Sequence, residues 1–259
     1  LTEQPLPVVA ITTTAGTGSE VDQFGVISND ETYEKIGFGG YDSLFPVLSI
    51  VDPALMATVP PQLTAFQGFD ALFHSTEAYI SKSANLFSDM VALTAIENVA
   101  NNLAAAVKDG ANMEAREKVA FANTLSGYSM VTGSCTSEHS LEHAMSAYYP
   151  QLPHGAGLIA LSEAYFETFR HDCTKRYMKM AEMMTQKKSN RPSDFIDALI
   201  TLQKECKVHS IKLSEFGIQS EDFPKFLQNA RDTMGGLFTL DPRPITDEEI
   251  LHIFKNSYK

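Results

Sequence analysis

Between Ser137 and Gly155 the sequence SEHSLEHAMSAYYPQLPHG gathers three of the chain's seven histidines into one stretch. His139 and His143 are four apart and so share a helical face, while His154 lies between a proline and a glycine, the setting of a residue presented by a turn. Upstream, GFDALFHSTEAY supplies Asp70 and His74, again four apart, among Leu72, Phe73, Tyr79 and Ile80, which read as buried. Side chains at i and i+4 leave a helix with about 5–6 Å between Cβ atoms, close enough to grip one ion together. A carboxylate with three or four imidazoles suits zinc or iron(II), since these donors are of intermediate softness. On this reading Asp70 and His74 ligate together, one of His139 and His143 ligates while the other points into the adjacent cavity, and His154 closes the set. One such pair alone is more often a surface acid beside a core histidine. Two pairs and a Pro-His-Gly turn, in a chain with few other histidines, favour the metal. His171, His209 and His252 have no such partners and read as surface or core residues.

Composition bounds what surrounds the site. At 259 residues with 44% hydrophobic content the chain can bury a sizeable core, in one or two domains of about 100–200 residues each. A formal charge of -12, without a dense Lys/Arg cluster, argues against nucleic acid and anionic membranes as partners. No run approaches the ~18 uninterrupted apolar residues of a membrane span, and no signal-peptide pattern opens the chain. Cys135, Cys173 and Cys206 are odd in number and widely spaced, which favours a reducing cytoplasm and a metal held by nitrogen and oxygen alone. The chain opens at Leu1 without a methionine and runs at once into a strand, as a piece of something longer would.

The elements that position the histidines follow in order. Val8 to Ile11 is a short β-branched run feeding TTTAGTGSE, a Gly/Thr loop whose backbone N–H groups and hydroxyls can sit against a phosphate, ribose or amide. Phe24 to Ser28, Lys35 to Phe38 and Leu48 to Val51 are further strands, separated by SNDETYE and GGYDS turns. From Pro53 apolar residues recur at three and four spacing, and helices are expected over 60–81, 86–108 and 113–132. Helices carrying His139 with His143 and beginning near His154 come next, then shorter ones at 175–184, 193–206, 221–233 and 246–258. Thr246-Asp-Glu-Glu249 is a capping box that sets the start of the last.

TTAGTGSE, then VDPALMATVPPQLTAFQGFDALFHSTEAY, then SEHSLEHAMSAYYPQLPHGAGL, at these separations, resemble the iron-containing (group III) alcohol dehydrogenase family, as do the closing KLSEFGI and ITDEEILHIFKNSY. The resemblance implies an α+β chain of dehydroquinate synthase-like architecture. Residues 1–52 would be the β-rich remnant of an α/β dinucleotide-binding domain and 53–259 an all-helical metal-binding domain. It assigns the metal, Fe2+ or Zn2+, to Asp70, His74, His139 and His154, and places His143 in the cleft as the catalytic residue. The stretch from His143 to the Pro-His-Gly turn is one residue longer than the family pattern, and a rival alignment makes His143 the ligand. Thr13, Thr14 and Thr17, with Lys35 and Met56, would contact NAD or NADP. The glycine-rich GGGS-type segment that binds the pyrophosphate in the family is not in this sequence. The expected reaction is hydride exchange between a primary alcohol or aldehyde and NAD(P), in a cytoplasmic homodimer. A metal-binding fragment without turnover, a glycerol-type dehydrogenase or a metal-dependent lyase of the same fold are the alternatives. The lyases use a Glu and two His, from which Asp70 with three His points away.

Overall fold

The computed structural model describes residues 4–258. From residue 4 up to Met56 the described chain is strands, loops and short 3-10 turns. β1 (Val9–Ile11) pairs in parallel with β4 (Leu48–Ile50), Val9 opposite Leu48 and Ile11 opposite Ile50. β2 (Gly25–Asn29) and β3 (Glu34–Phe38) form an antiparallel hairpin with Ile27 opposite Ile36. Tyr33 takes the left-handed conformation at the hairpin end, φ 55°, and its ring stacks on Tyr148. That contact and the bond from Asn229 Nδ2 to the Tyr33 carbonyl (2.9 Å) hold the hairpin against the helices.

From Pro61 the described chain is helical. α1 (Pro61–Ile80) starts on a proline, whose missing N–H costs nothing at a helix start. It is buried almost all round from Thr64 to Ile80, as the central helix of a bundle must be. α2 (Leu86–Lys108) begins at an Asn85–Ser88 capping box and α3 (Met113–Gly133) at Asn112. α2 is long and apolar enough to cross a membrane by length and composition. Its buried residues, among them Ala92, Ile96, Val99 and Leu103, instead belong to the common core with α1 and α3.

α5 (His154–Phe169) packs on α1 and on α4 (Ser137–Tyr148), α7 (Ser193–Glu205) packs on α5, and α6 (Thr174–Thr185) lies against α2 and α7. α8 (Phe223–Met234) and α9 (Asp247–Ser257) complete the bundle, the latter capped by Thr246 and Glu249 as its sequence predicts. Fully buried Phe73, Tyr165, Phe166, Tyr177 and Phe195 form one aromatic cluster under α5. Phe223, Phe226 and Phe254 form a second between α8 and α9. These two clusters fix α5 and α8, both of which contribute residues to the wall of the site.

Candidate metal centre

Asp70 and His74 leave the same face of α1, His139 and His143 leave α4, and His154 is the first residue of α5. The start of α5 lies hard against α1, where a Cβ built on Gly155 would stand 2.4 Å from the Phe66 carbonyl oxygen. Glycine there lets His154 reach the acid. Around Asp70 Oδ1 the Nε2 atoms of His154, His139 and His74 lie at 3.5, 3.6 and 3.7 Å. Donors bonded to a tetrahedral ion at about 2.0–2.2 Å stand roughly 3.3–3.6 Å apart, and each of the three imidazoles lies at or just beyond that distance from the Asp70 oxygen. Asp70, His139 and His154 each offer a ligand atom within 4.8 Å of the other two. Asp70 Oδ1 and His139 Nε2 are buried without a hydrogen-bond partner among the described residues. Such atoms are costly to leave unpaired, and a cation satisfies them.

His143 stands beside this set rather than within it. Its ring is 5.3 Å from that of His154 and edge-on to His139 at 6.3 Å, and it makes no ion pair with Asp70. Burial and the neighbouring His154 charge push its pKa well below the ordinary imidazole value. Burial likewise brings His74 down to about 4, against the pull of Asp70.

Two carboxylates without a place in the sequence reading stand behind the imidazoles. Glu77, fully buried on α1, meets His139 Nδ1 through Oε1, and its Oε2 accepts from the Thr136 N–H and hydroxyl at 2.7 and 2.9 Å. Glu142, fully buried on α4, meets His154 Nδ1. Burial works against its charge, but His154 and Lys35 beside it hold its pKa down, at about 2. Each carboxylate fixes one ring's tautomer and leaves Nε2 facing Asp70, the usual support of a metal-bound histidine. Burial opposes protonation of His139 and His154, yet the charges facing them raise both pKa values, and the same fields favour a bound cation. The available signal was spacing: Asp70, His74 and Glu77 fall at i, i+4 and i+7 of one helix, and His139 and Glu142 at i and i+3.

The cluster forms the floor of a cavity of about 930 Å³ whose walls include Thr17, Asp22, Lys35, Cys135, His143 and Leu237. Lys35 reaches in from the hairpin, 2.7 Å from Ser146 Oγ and 3.4 Å from Glu142 Oε2. The Gly/Thr loop forms the rim. Buried Glu20 accepts from Thr124 Oγ1 (2.7 Å) and Asn123 Nδ2 (3.0 Å), and the Gly18 N–H donates to Asn123 Oδ1 (2.9 Å). Gly18 has φ 65°, and a Cβ on it would meet Gly127 Cα at 2.5 Å, so the loop is seated on α3 through two glycines. Of the expected cofactor contacts, Thr17 and Lys35 line the cavity, Thr13 and Thr14 are exposed beside it, and Met56 is packed in the core.

Cys135 lies beside the Asp/His set: its Sγ and one ring nitrogen each of His74 and His139 are all within 4.8 Å of one another. The cysteines are far apart in sequence from one another, but Cys135 precedes His139 by four residues.

Comparison with known proteins adds the context. Residues 64–258 match the pattern described as "Fe-containing alcohol dehydrogenase family, C-terminal", and residues 1–53 match "Iron-containing alcohol dehydrogenase". Alcohol dehydrogenase 4 of Saccharomyces cerevisiae is 33% identical over 257 residues, covering 98% of this chain and 65% of the yeast protein. The chain thus spans just under two thirds of that relative. The crystal structure of an archaeal halo-thermophilic alcohol dehydrogenase from a Red Sea brine pool, ADH/D1 bound to NZQ, superimposes with a TM-score of 0.92 at 35% identity, covering 97% of this chain and 64% of that one. Sulfoacetaldehyde reductase from Bifidobacterium kashiwanohense, solved in complex with NAD+, superimposes with a TM-score of 0.85 at 27% identity, covering 96% and 64%.

Proposed function

From the premise that the chain belongs to the Fe-containing alcohol dehydrogenase family, we propose that it forms the metal half of an NAD(P)-dependent alcohol dehydrogenase. The reaction is reversible hydride exchange between a primary alcohol and its aldehyde. The observation that carries this reading is the convergence of three imidazole Nε2 atoms, 3.5–3.7 Å away, on one unpartnered carboxylate oxygen at the floor of a large cavity. Asp70, His74, His139 and His154 hold a divalent ion, Fe2+ or Zn2+. When bound, that ion supplies a Lewis acid for the substrate oxygen, and a nicotinamide supplies the hydride acceptor or donor.

The chain's own residues do the rest. Glu77 and Glu142 keep His139 and His154 in the tautomer that turns Nε2 toward Asp70. His143, kept neutral by burial, offers a ring nitrogen to take the alcohol's proton directly or through one water, and returns it when the aldehyde is reduced. The Thr17 end of the Gly/Thr loop and the Lys35 hairpin wall the side of the cavity from which the cofactor enters. Because the chain spans 65% of the yeast relative, turnover is proposed for the protein as a whole.

His143→Ala tests the assignment. The variant should keep its metal and lose turnover by about 10²–10⁴-fold, the usual contribution of a positioned acid or base. Loss of the metal instead would make His143 a ligand and sink the division of roles between the two histidines of α4.

A further inference from the structure

A string of buried oxygens runs behind His139. Asp241 follows the 3-10 segment Gly235–Leu240, and its Oδ1 accepts from the Ser137 N–H at 2.9 Å, which caps α4 two residues before His139. Thr136, in the N-cap position, makes no side-chain cap of its own. The Tyr165 hydroxyl lies 3.0 Å from the same Asp241 oxygen, 2.8 Å from Thr136 Oγ1 and 3.3 Å from Ser137 Oγ. Thr136 gives its hydroxyl to Glu77 Oε2 at 2.9 Å, and Glu77 Oε1 meets His139 Nδ1. Glu77, Thr136, Ser137, Tyr165 and Asp241 are all fully buried, and none of them lines the cavity.

The protons give this string a direction. Thr136 has one hydroxyl proton, directed at Glu77, so its oxygen is left as an acceptor, and Tyr165 supplies the hydroxyl within reach. Tyr165 also has one proton, and its contact with Thr136 is shorter than its contact with Asp241. Ser137 Oγ donates in turn to the phenol oxygen. Each hydroxyl thus turns its proton toward Glu77, and hydrogen bonds in such a series polarise one another. Burial, with the Asp241 and Glu77 charges, pushes the Tyr165 pKa well above its ordinary value, so the phenol stays a donor. Tyr165 stands about three turns after His154 on α5, so both leave one side of that helix.

We propose that Tyr165 is a positioning residue of the metal centre: its hydroxyl fixes Thr136, Thr136 fixes Glu77, and Glu77 holds the His139 ring with Nε2 toward Asp70. The inference rests on the metal reading of the same site. Among the described residues Tyr165 hydrogen-bonds to none of the four ligands, so it acts only through the residues between.

Tyr165→Phe removes the hydroxyl and keeps the ring, which packs edge-on against Phe166 and Phe169. Tyr177→Phe is its control, because the Tyr177 hydroxyl is equally buried in the same aromatic cluster but donates to the Phe166 carbonyl at 2.9 Å. Wild type and both variants, with folding checked by circular dichroism, are stripped of metal, titrated with Zn2+ against a chelator, and loaded with Co2+ for visible spectra. Tyr165→Phe should bind Zn2+ about 10-fold more weakly, the lower end of the range for groups behind a metal ligand. Its Co2+ bands should shift and weaken as His139 loosens. Tyr177→Phe should match wild type in both readouts. Thr136→Val breaks the string one step nearer Glu77 and should reproduce the loss, and adding Tyr165→Phe to it should weaken binding little further. Wild-type affinity and spectrum in Tyr165→Phe, an equal loss in Tyr177→Phe, or a full second loss in the double variant overturns the positioning role while the Asp/His centre stands. Failure of wild type to bind either ion overturns both.

Discussion

Replacing Glu142 by glutamine removes one charge behind the metal centre while keeping the shape of the side chain. Glu142 is fully buried, and its Oε2 meets both His154 Nδ1 and the Lys35 ammonium, the latter at 3.4 Å. Two separable losses follow. A carboxylate that orients a metal-bound histidine contributes about 10–100-fold to metal affinity, or about 1.4–2.7 kcal/mol. Breaking a buried ion pair costs about 3–5 kcal/mol, but Lys35 retains Ser146 Oγ at 2.7 Å and its side chain is 15% exposed, so the loss expected here is about 1–2 kcal/mol. The first loss is read by titrating Zn2+ or Fe2+ against a competing chelator, the second by denaturant unfolding of the metal-free protein. Lys35→Met should show the second with little of the first. A Glu142→Gln protein that unfolds more easily yet binds metal with unchanged affinity would refute the claim that Glu142 acts through His154.

Two further outcomes follow from contacts elsewhere. Gly127→Ala drives a Cβ to 2.5 Å from the Gly18 carbonyl oxygen and should destabilise the protein by about 1–3 kcal/mol, visible as a lower Tm. An unchanged Tm would mean that the Gly/Thr loop is not seated on α3 as described. The Arg243 hydrogen bonds, helped by Thr246 and opposed by partial burial, hold the Glu249 pKa down from 4.5 to about 2. A depressed acid stabilises the fold above its unfolded value and loses that contribution as pH falls from about 4.5 through about 2. With the side chain 31% exposed, screening reduces the effect to about 1–2 kcal/mol. Glu249→Gln should therefore lower stability at pH 7 and flatten its pH dependence below pH 4.5, measured by urea midpoints across that range. A parallel shift at every pH would remove Glu249 from the acid response.

Much of this was legible in advance, and for physical reasons. Helix faces have a fixed period, so Asp70 with His74 and His139 with His143 announce themselves as pairs, and caps such as Thr246 with Glu249 mark a helix start without any tertiary information. What did not announce itself depends on chain segments meeting in space. Glu77 lies behind His139 across a gap of 62 residues, and Lys35 reaches Glu142 across 107. Glu20 is a loop acid in sequence and becomes a buried anchor only when Asn123 and Thr124 arrive from α3. The choice between His139 and His143 also needs space: both lie on one helical face, but only His139 brings Nε2 to 3.6 Å from Asp70 Oδ1.

In the proposed function, Asp70 of α1 and His154 of α5 grip one ion between two helices that pack against each other. Elemental analysis of purified wild-type protein beside an Asp70→Ala, His154→Ala double variant, with folding of both checked by circular dichroism, tests it directly. About one iron or zinc per chain in the wild type and almost none in the folded double variant is the predicted result. Stoichiometric metal retained by the double variant would contradict the ligand set and the function built on it.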